Sequence, residues 1–240
     1  MVPWSAMSKK STSGESAPGP AEEIPAGDFS TWLAGMRKAL AKNGAAEVAC
    51  GECRACCDSS YFIHIRPEET GTLGRIDPRV LFDAPGMPAG NVLMGYDSHG
   101  NCPMLVEGKC SIYSDRPKTC RSYDCRIFVA AGVDVGGKEK SRIAQRVGSW
   151  RFAYPTAQDR LEHTAVMETA AFIQENADCF PGGAIPTVPS QLAILAIKTC
   201  GVLLSSPRGA EGRGITGSKR ALARAIVQAA KEFDARIAGP

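Results

Sequence analysis

The chemistry of this chain is concentrated in its cysteines. The stretch "CGECRACC" places Cys50, Cys53, Cys56 and Cys57 within eight residues, and "NCPMLVEGKCSIYSDRPKTCRSYDC" adds Cys102, Cys110, Cys120 and Cys125. A Cys-x2-Cys pair lets two thiolates from one tight turn reach the same ion, because the intervening backbone curls around it. The triple spacing Cys50-x2-Cys53-x2-Cys56 is the opening of the bacterial ferredoxin run, and Cys102-Pro103 has the local form of that run's last cysteine. The match is partial, since the adjacent Cys57 replaces the x3 spacing. The Cys-x3-Cys-x2-Cys run of radical enzymes that use S-adenosylmethionine is absent.

Read as zinc ligands, the same eight thiolates make two four-cysteine sites, each drawing on both halves. Cys120-x4-Cys125 lies inside zinc-finger spacing, and Cys102-x7-Cys110 is longer than usual. Soft thiolates accept zinc and iron–sulfur centres alike, so ligand type does not choose between them. Cys56 and Cys57 are neighbours whose side chains diverge, so they can serve different ions or leave one thiol exchangeable. That surplus cysteine is the one hint of catalysis, and no residue is assigned a catalytic role.

Compartment favours metal over disulfides. No apolar segment follows Lys9 and Lys10, so no signal peptide is expected, and Leu192 to Leu204, interrupted by Lys198, is too short to span a bilayer. The expectation is a cytoplasmic protein, in which thiols are kept reduced. A Cys56–Cys57 bridge would in addition close a strained ring. The net charge of +3 is too small to imply nucleic acid or an anionic membrane surface.

Four thiolates on a divalent ion leave a charge of about −2, to be offset by N–H donors and cations. Lys109, Arg116, Lys118, Arg121 and Arg126, with Arg54 in the first cluster, outnumber Glu107, Asp115 and Asp124 and are expected as a group to supply that offset.

The elements that must position these cysteines are short. Residues 1–26, rich in Ser, Gly, Pro and Glu, read as a disordered tail. Asp28 is a helix N-cap for Phe29, Leu33, Met36 and Leu40, and Asn43-Gly44 ends that helix. "YFIHI" alternates like a strand, Pro67 with Glu68 and Glu69 looks like a helix start, and residues 77–101 read mostly as loop. Residues 139–178 read as helical, with Leu161, Ala165, Phe172 and Ile173 on one face. A Pro/Gly break precedes another apolar helix from about residue 190. Ser218 caps a last amphipathic helix with Leu222, Ile226, Ala229, Phe233 and Ile237, whose basic side (Lys219, Arg220, Arg224 and Lys231) is expected to face solvent.

Cys50-x2-Cys53-x2-Cys56-Cys57, then Cys102-Pro103-Met104-Leu105, Gly108-Lys109-Cys110-Ser111-Ile112-Tyr113, Arg116-Pro117, Cys120-Arg121 and Cys125, closely resembles the YkgJ-like cysteine-cluster family, a zinc- or iron-chelating domain. Tyr123 stands where Phe is common. The resemblance covers about residues 50–126 and implies metal binding through these eight cysteines. A similar cluster occurs in flagellin lysine N-methylases, which are longer, and nothing here matches a dedicated S-adenosylmethionine site.

The remaining candidates read as structural. His64 and His99 are expected as a strand and a turn histidine, and His163 as facing solvent. Cys179 and Cys200, outside the motif, read as buried inert thiols. Tyr113 and Tyr123 either pack over the cluster or serve the core. Gly136-Gly137 lacks the context of a phosphate loop.

The expected architecture is therefore α+β: a small, irregular, metal-stapled cysteine domain at 27–130, flanked and covered by α-helices, with a helical C-terminal region at 131–240. The expected function is chelation of zinc or iron, an iron–sulfur cluster included, with a protein partner for a closed site. The alternative is a redox or protein-modifying enzyme built on an iron–sulfur centre.

Overall fold

The computed structural model describes residues 23–41, 48, 53–183, 185–205 and 218–235. Cys50, Asn43-Gly44, Ile237 and residues 1–22 of the expected tail lie outside the described residues.

In chain order, β1 (Ile24–Asp28) leads directly into α1 (Phe29–Ala41). The cysteine region holds β2 (Ile63–Ile65), α2 (Thr70–Leu73), β3 (Leu81–Asp83), β4 (Val92–Met94), β5 (Leu105–Val106), β6 (Lys109–Cys110), α3 (Lys118–Ser122) and α4 (Arg126–Ala131). Then come α5 (Ser141–Ser149), β7 (Trp150–Ala153), α6 (Ala157–Glu175), α7 (Pro189–Thr199), α8 (Gly201–Leu204) and α9 (Lys219–Ala235). The fold is α+β, with mixed small sheets among helices.

Two hydrophobic cores organise the molecule. The larger gathers Phe29, Phe128, Ile173, Ile197 and Ile226, all almost fully buried. It forms because α1, α4 and α7 all pack on α6, and α9 closes over α7. The smaller is Ile65, Ile76, Met94 and Ile112, beneath the antiparallel sheet β2–β4–β3. Helices α1 and α4 come from the stretch assigned by sequence to the cysteine domain, yet they pack into the same core as the helices beyond residue 131.

Two expectations need correction. Ile24 to Ala26 fall within the expected disordered tail, but Ile24 and Pro25 pair in parallel with β7, and Ala26 is buried. The register shifts between Pro25 and Gly27, where Gly27 takes φ +90°, a value that favours glycine. Residues 139–178 are not one helical run. Trp150 and Phe152 alternate inward with the period of a strand, and Pro155 ends β7 before Thr156 caps α6 in a capping box with Asp159. Residues 77–101 are mostly loop, as expected, with the three-residue strands β3 and β4 set in it.

Within α6 the buried face is Ala165, Val166, Thr169, Ala170 and Ile173. Leu161 lies outside it and is exposed, unlike the expected stripe. By contrast α1 buries Phe29, Leu33 and Met36, and α9 buries Leu222, Ile226 and Phe233, as their spacing indicates.

Candidate metal centre

The first cysteine run ends in a turn. The amides of Cys57 and Asp58 both donate to the Arg54 carbonyl, at 2.7 and 3.2 Å. This turn is tied to the second half of the motif by two backbone bonds: Ser60 N–H to the Gly100 carbonyl (2.9 Å) and Cys102 N–H to the Cys57 carbonyl (2.6 Å). The loop between them is shaped by Asp97, whose carboxylate accepts the amides of His99 and Asn101, each at 2.8 Å. Hydrogen bonding holds that carboxyl below the usual range.

Cys110 is presented by the β5–β6 hairpin, where it pairs with Leu105. The turn residues Glu107 and Gly108 both have positive φ, which suits a tight two-residue hairpin. A Cβ at Gly108 would lie 2.7 Å from Nη1 of Arg54, so the small turn also lets the first cysteine loop approach the hairpin.

Cys120 rides on α3. Glu69 accepts the Lys118 amide at 2.6 Å, placing a carboxylate at the first turn of α3, and Thr119 Oγ1 donates to the His64 carbonyl at 2.6 Å. The "RPEET" stretch thus does two jobs: α2 starts at Thr70, and Glu69 anchors a different helix.

These elements bring Cys57, Cys102, Cys110 and Cys120 together. Burial, reinforced by Cys102 and Cys110, pushes the Cys57 thiol up to about 12. Burial, reinforced by Cys102, Cys57 and Cys110, does the same to Cys120, again to about 12. The Cys102 thiol is raised by burial and, among its neighbours, by Cys110. Crowding of buried thiols is the donor chemistry that a thiophilic ion fits, since the ion replaces the protons and offsets the mutual repulsion. Among the described residues no three or more Cys, His, Asp or Glu side chains stand around one ion position.

Cys125 sits elsewhere, at the start of α4 in the larger core. Its Sγ accepts from Trp150 Nε1 at 3.2 Å. The guanidinium groups of Arg146 and Arg126 lie over the Trp150 ring, 4.8 and 5.6 Å from its centroid. Tyr61 and Tyr123 face each other with hydroxyls 3.5 Å apart, and burial raises both phenols, with Cys56 and Cys125 adding to the effect. Cys53, Cys56 and Cys57 are all half-buried, and no disulfide joins two described cysteines.

The cationic residues are more dispersed than the expected offset. Arg54 and Arg142 both pair with the buried Asp58, Arg121 with Glu69 and Arg126 with Asp124. Arg116 is the cation that pulls against the rise at Cys120. Tyr113 does not cover the cysteines; it is 65% exposed and stacks on Arg116 at 4.0 Å.

Reasoning from sequence does not single out Asp58, Tyr61 or Trp150. Asp58 immediately follows Cys57, and its Oδ1 is buried with no hydrogen-bond partner among the described residues. Adjacency is the available signal. Trp150 lies 25 residues from Cys125, and its role depends on β7, a strand inside the stretch whose pattern reads as helical.

His64 and His99 remain structural: His64 Nε2 bonds Asn91 at 2.8 Å, and His99 sits in the Asp97 turn. His163 does not face solvent. It stacks on Phe29 at 4.4 Å, its Nδ1 lies 2.7 Å from the Tyr154 hydroxyl, and burial lowers its pKa. Cys200 is buried, as expected, and Cys179 is half-buried at the edge of the larger core.

No helix among the described residues is long and apolar enough to cross a membrane. Comparison with curated proteins and with solved structures gives no match. Residues 49–145 match the model of the CxxCxxCC family, described as "Putative zinc- or iron-chelating domain".

Proposed function

We propose that the protein holds zinc or iron through the thiolates of Cys50, Cys53, Cys56, Cys57, Cys102, Cys110, Cys120 and Cys125, and that the helical core serves as the scaffold. The observation that carries this reading is that separate elements hold the half-buried Cys57, Cys102, Cys110 and Cys120 in one region, with the Cys102 amide on the Cys57 carbonyl at 2.6 Å. A cluster of buried thiols with little regular structure around it gains much of its stability from the ion that it binds. The bound metal supplies cross-linking of the loops. The chain's own residues present the sulfurs, exclude water and, through Asp58, hold Arg54 and Arg142 beside the first cysteine turn. Such a centre keeps its thiols in a reducing compartment, which agrees with a cytoplasmic protein.

The test is anaerobic purification of the full chain with elemental analysis and an absorbance spectrum. A brown protein with iron and acid-labile sulfide assigns an iron–sulfur centre and favours electron transfer or protein modification. A colourless protein with stoichiometric zinc assigns a closed site whose function lies with a protein partner. A protein with neither metal overturns the reading.

A further inference from the structure

Two arginines from distant parts of the chain meet on one buried carboxylate. The Asp58 side chain is 6% exposed, and its Oδ1 has no hydrogen-bond partner among the described residues. Its Oδ2 faces Nε of Arg54 at 3.5 Å, four residues back, and Nη1 of Arg142, 84 residues on in α5. A buried carboxylate is costly unless cations offset it, so Asp58 holds both guanidiniums in one place. Arg54 is fixed from the other side as well, because its carbonyl accepts the amides of Cys57 and Asp58. The two arginines nevertheless stay in solvent, with side chains 52% and 59% exposed. Each meets Asp58 through one nitrogen, which leaves the other N–H groups of its planar fork for a second acceptor.

The surroundings are positive. Arg142 stands in the first turn of α5, where a cation opposes the helix dipole and no acidic residue offsets it. Lys140, just before that helix, holds its Nζ over the Tyr61 ring at 5.3 Å. On the Arg54 side the β5–β6 turn closes in at Gly108, followed by the exposed Lys109. The flanking acids are Glu107, at the tip of that hairpin, and Glu139, whose carboxylate lies over Gly137. Four cations are too few for the run of about 6–10 phosphates that a duplex binder neutralises. They suit a short run of carboxylates, which an arginine fork accepts edge-on.

We propose that Arg54 and Arg142, anchored on Asp58, form a clamp for carboxylate side chains on an acidic segment of a protein partner. Asp58 is its positioning residue: it orients both guanidiniums before the partner arrives, which lowers the ordering cost of binding. Lys140 adds long-range attraction. No cysteine takes part, so the clamp is independent of the metal that the chain holds. A partner seated there lies against the turn that carries Cys57.

Fluorescence anisotropy of a labelled hexaglutamate peptide, titrated with the anaerobically purified full chain, tests this. Binding should saturate, weaken as salt rises, and fall about three- to tenfold in Arg54→Gln and in Arg142→Gln. Lys231→Gln removes the same charge from α9 and should leave binding unchanged. Asp58→Asn separates a clamp from diffuse attraction by sign. It makes the chain more positive, so diffuse attraction would tighten binding, whereas loss of the anchor weakens it. Tighter binding in Asp58→Asn, equal weakening in Lys231→Gln, or no binding by the wild type overturns the clamp. If Asp58→Asn does not fold, Arg142→Lys decides, since it keeps the charge and loses the fork; unchanged binding there overturns the proposal. Displacement of the probe by a short DNA duplex as readily as by unlabelled peptide overturns the assignment to an acidic protein segment.

Discussion

Trp150 Nε1 donates to the sulfur of Cys125 across 3.2 Å, joining the strand that pairs with Ile24–Asp28 to a cysteine of the motif. Trp150 is 1% exposed, so the bond lies in the core and links helical scaffold to thiol. Replacing Trp150 by Phe keeps an aromatic ring and removes the donor. The loss of the bond and of ring volume is expected to lower stability by about 1–3 kcal/mol. Urea unfolding of the variant measures it, and an unchanged midpoint with unchanged metal content would show that the bond does not matter.

Metal uptake will depend on pH in a definite direction. In the metal-free protein the Cys57 and Cys120 thiols are raised to about 12, so they are protonated at neutral pH and the ion must displace their protons. Apparent affinity therefore rises with pH through the neutral range. A competition titration with a chelator at several pH values should show this, together with proton release on loading; a flat profile contradicts it.

The same shifts set the alkaline limit of the metal-free protein. A thiol raised in the folded state contributes stability that is complete below the ordinary thiol pKa of about 8.5 and is lost as pH climbs from there towards the folded value. Metal-free protein should unfold progressively over that window, while the loaded protein, whose thiolates are already neutralised, should not. Thermal melts of both forms from neutral to strongly alkaline pH compare them directly.

Asp159 predicts the acid side. Its carboxylate accepts from the Thr156 hydroxyl and amide and from the Ser30 amide at 2.9 Å, and these bonds hold its pKa far below the usual range. Stability from this group is present above the ordinary carboxyl pKa and is lost as pH falls through the folded value. Asp159→Asn should loosen α1 from α6 at neutral pH and flatten the acid dependence of the melting temperature.

Cys200 separates scaffold from site. Its thiol is buried, donates to the Ile197 carbonyl at 3.5 Å and receives Arg37 Nη1 at 3.6 Å. Cys200→Ala should leave metal content unchanged while costing about 1–2 kcal/mol of stability. Loss of metal in that variant would place Cys200 among the ligands.

The cysteine motif and much of the helical scaffold can be read from the residues alone. The eight motif cysteines are legible because ligand spacing is local, and α1 and α9 are legible because a 3.6-residue repeat survives along their whole length. How the cysteines are distributed is a matter of packing. The Cys57 carbonyl accepts the Cys102 amide from the other half of the motif, and no spacing rule encodes that contact. Packing also makes Ile24–Asp28 a strand. A five-residue segment with Pro25 and Gly27 in it has too little pattern to declare itself, and its partner β7 lies more than 120 residues along the chain. Trp150 and His163 follow the same logic: each owes its role to a partner more than 20 residues away, at Cys125 and at Val129 respectively, and that closeness is made by the fold.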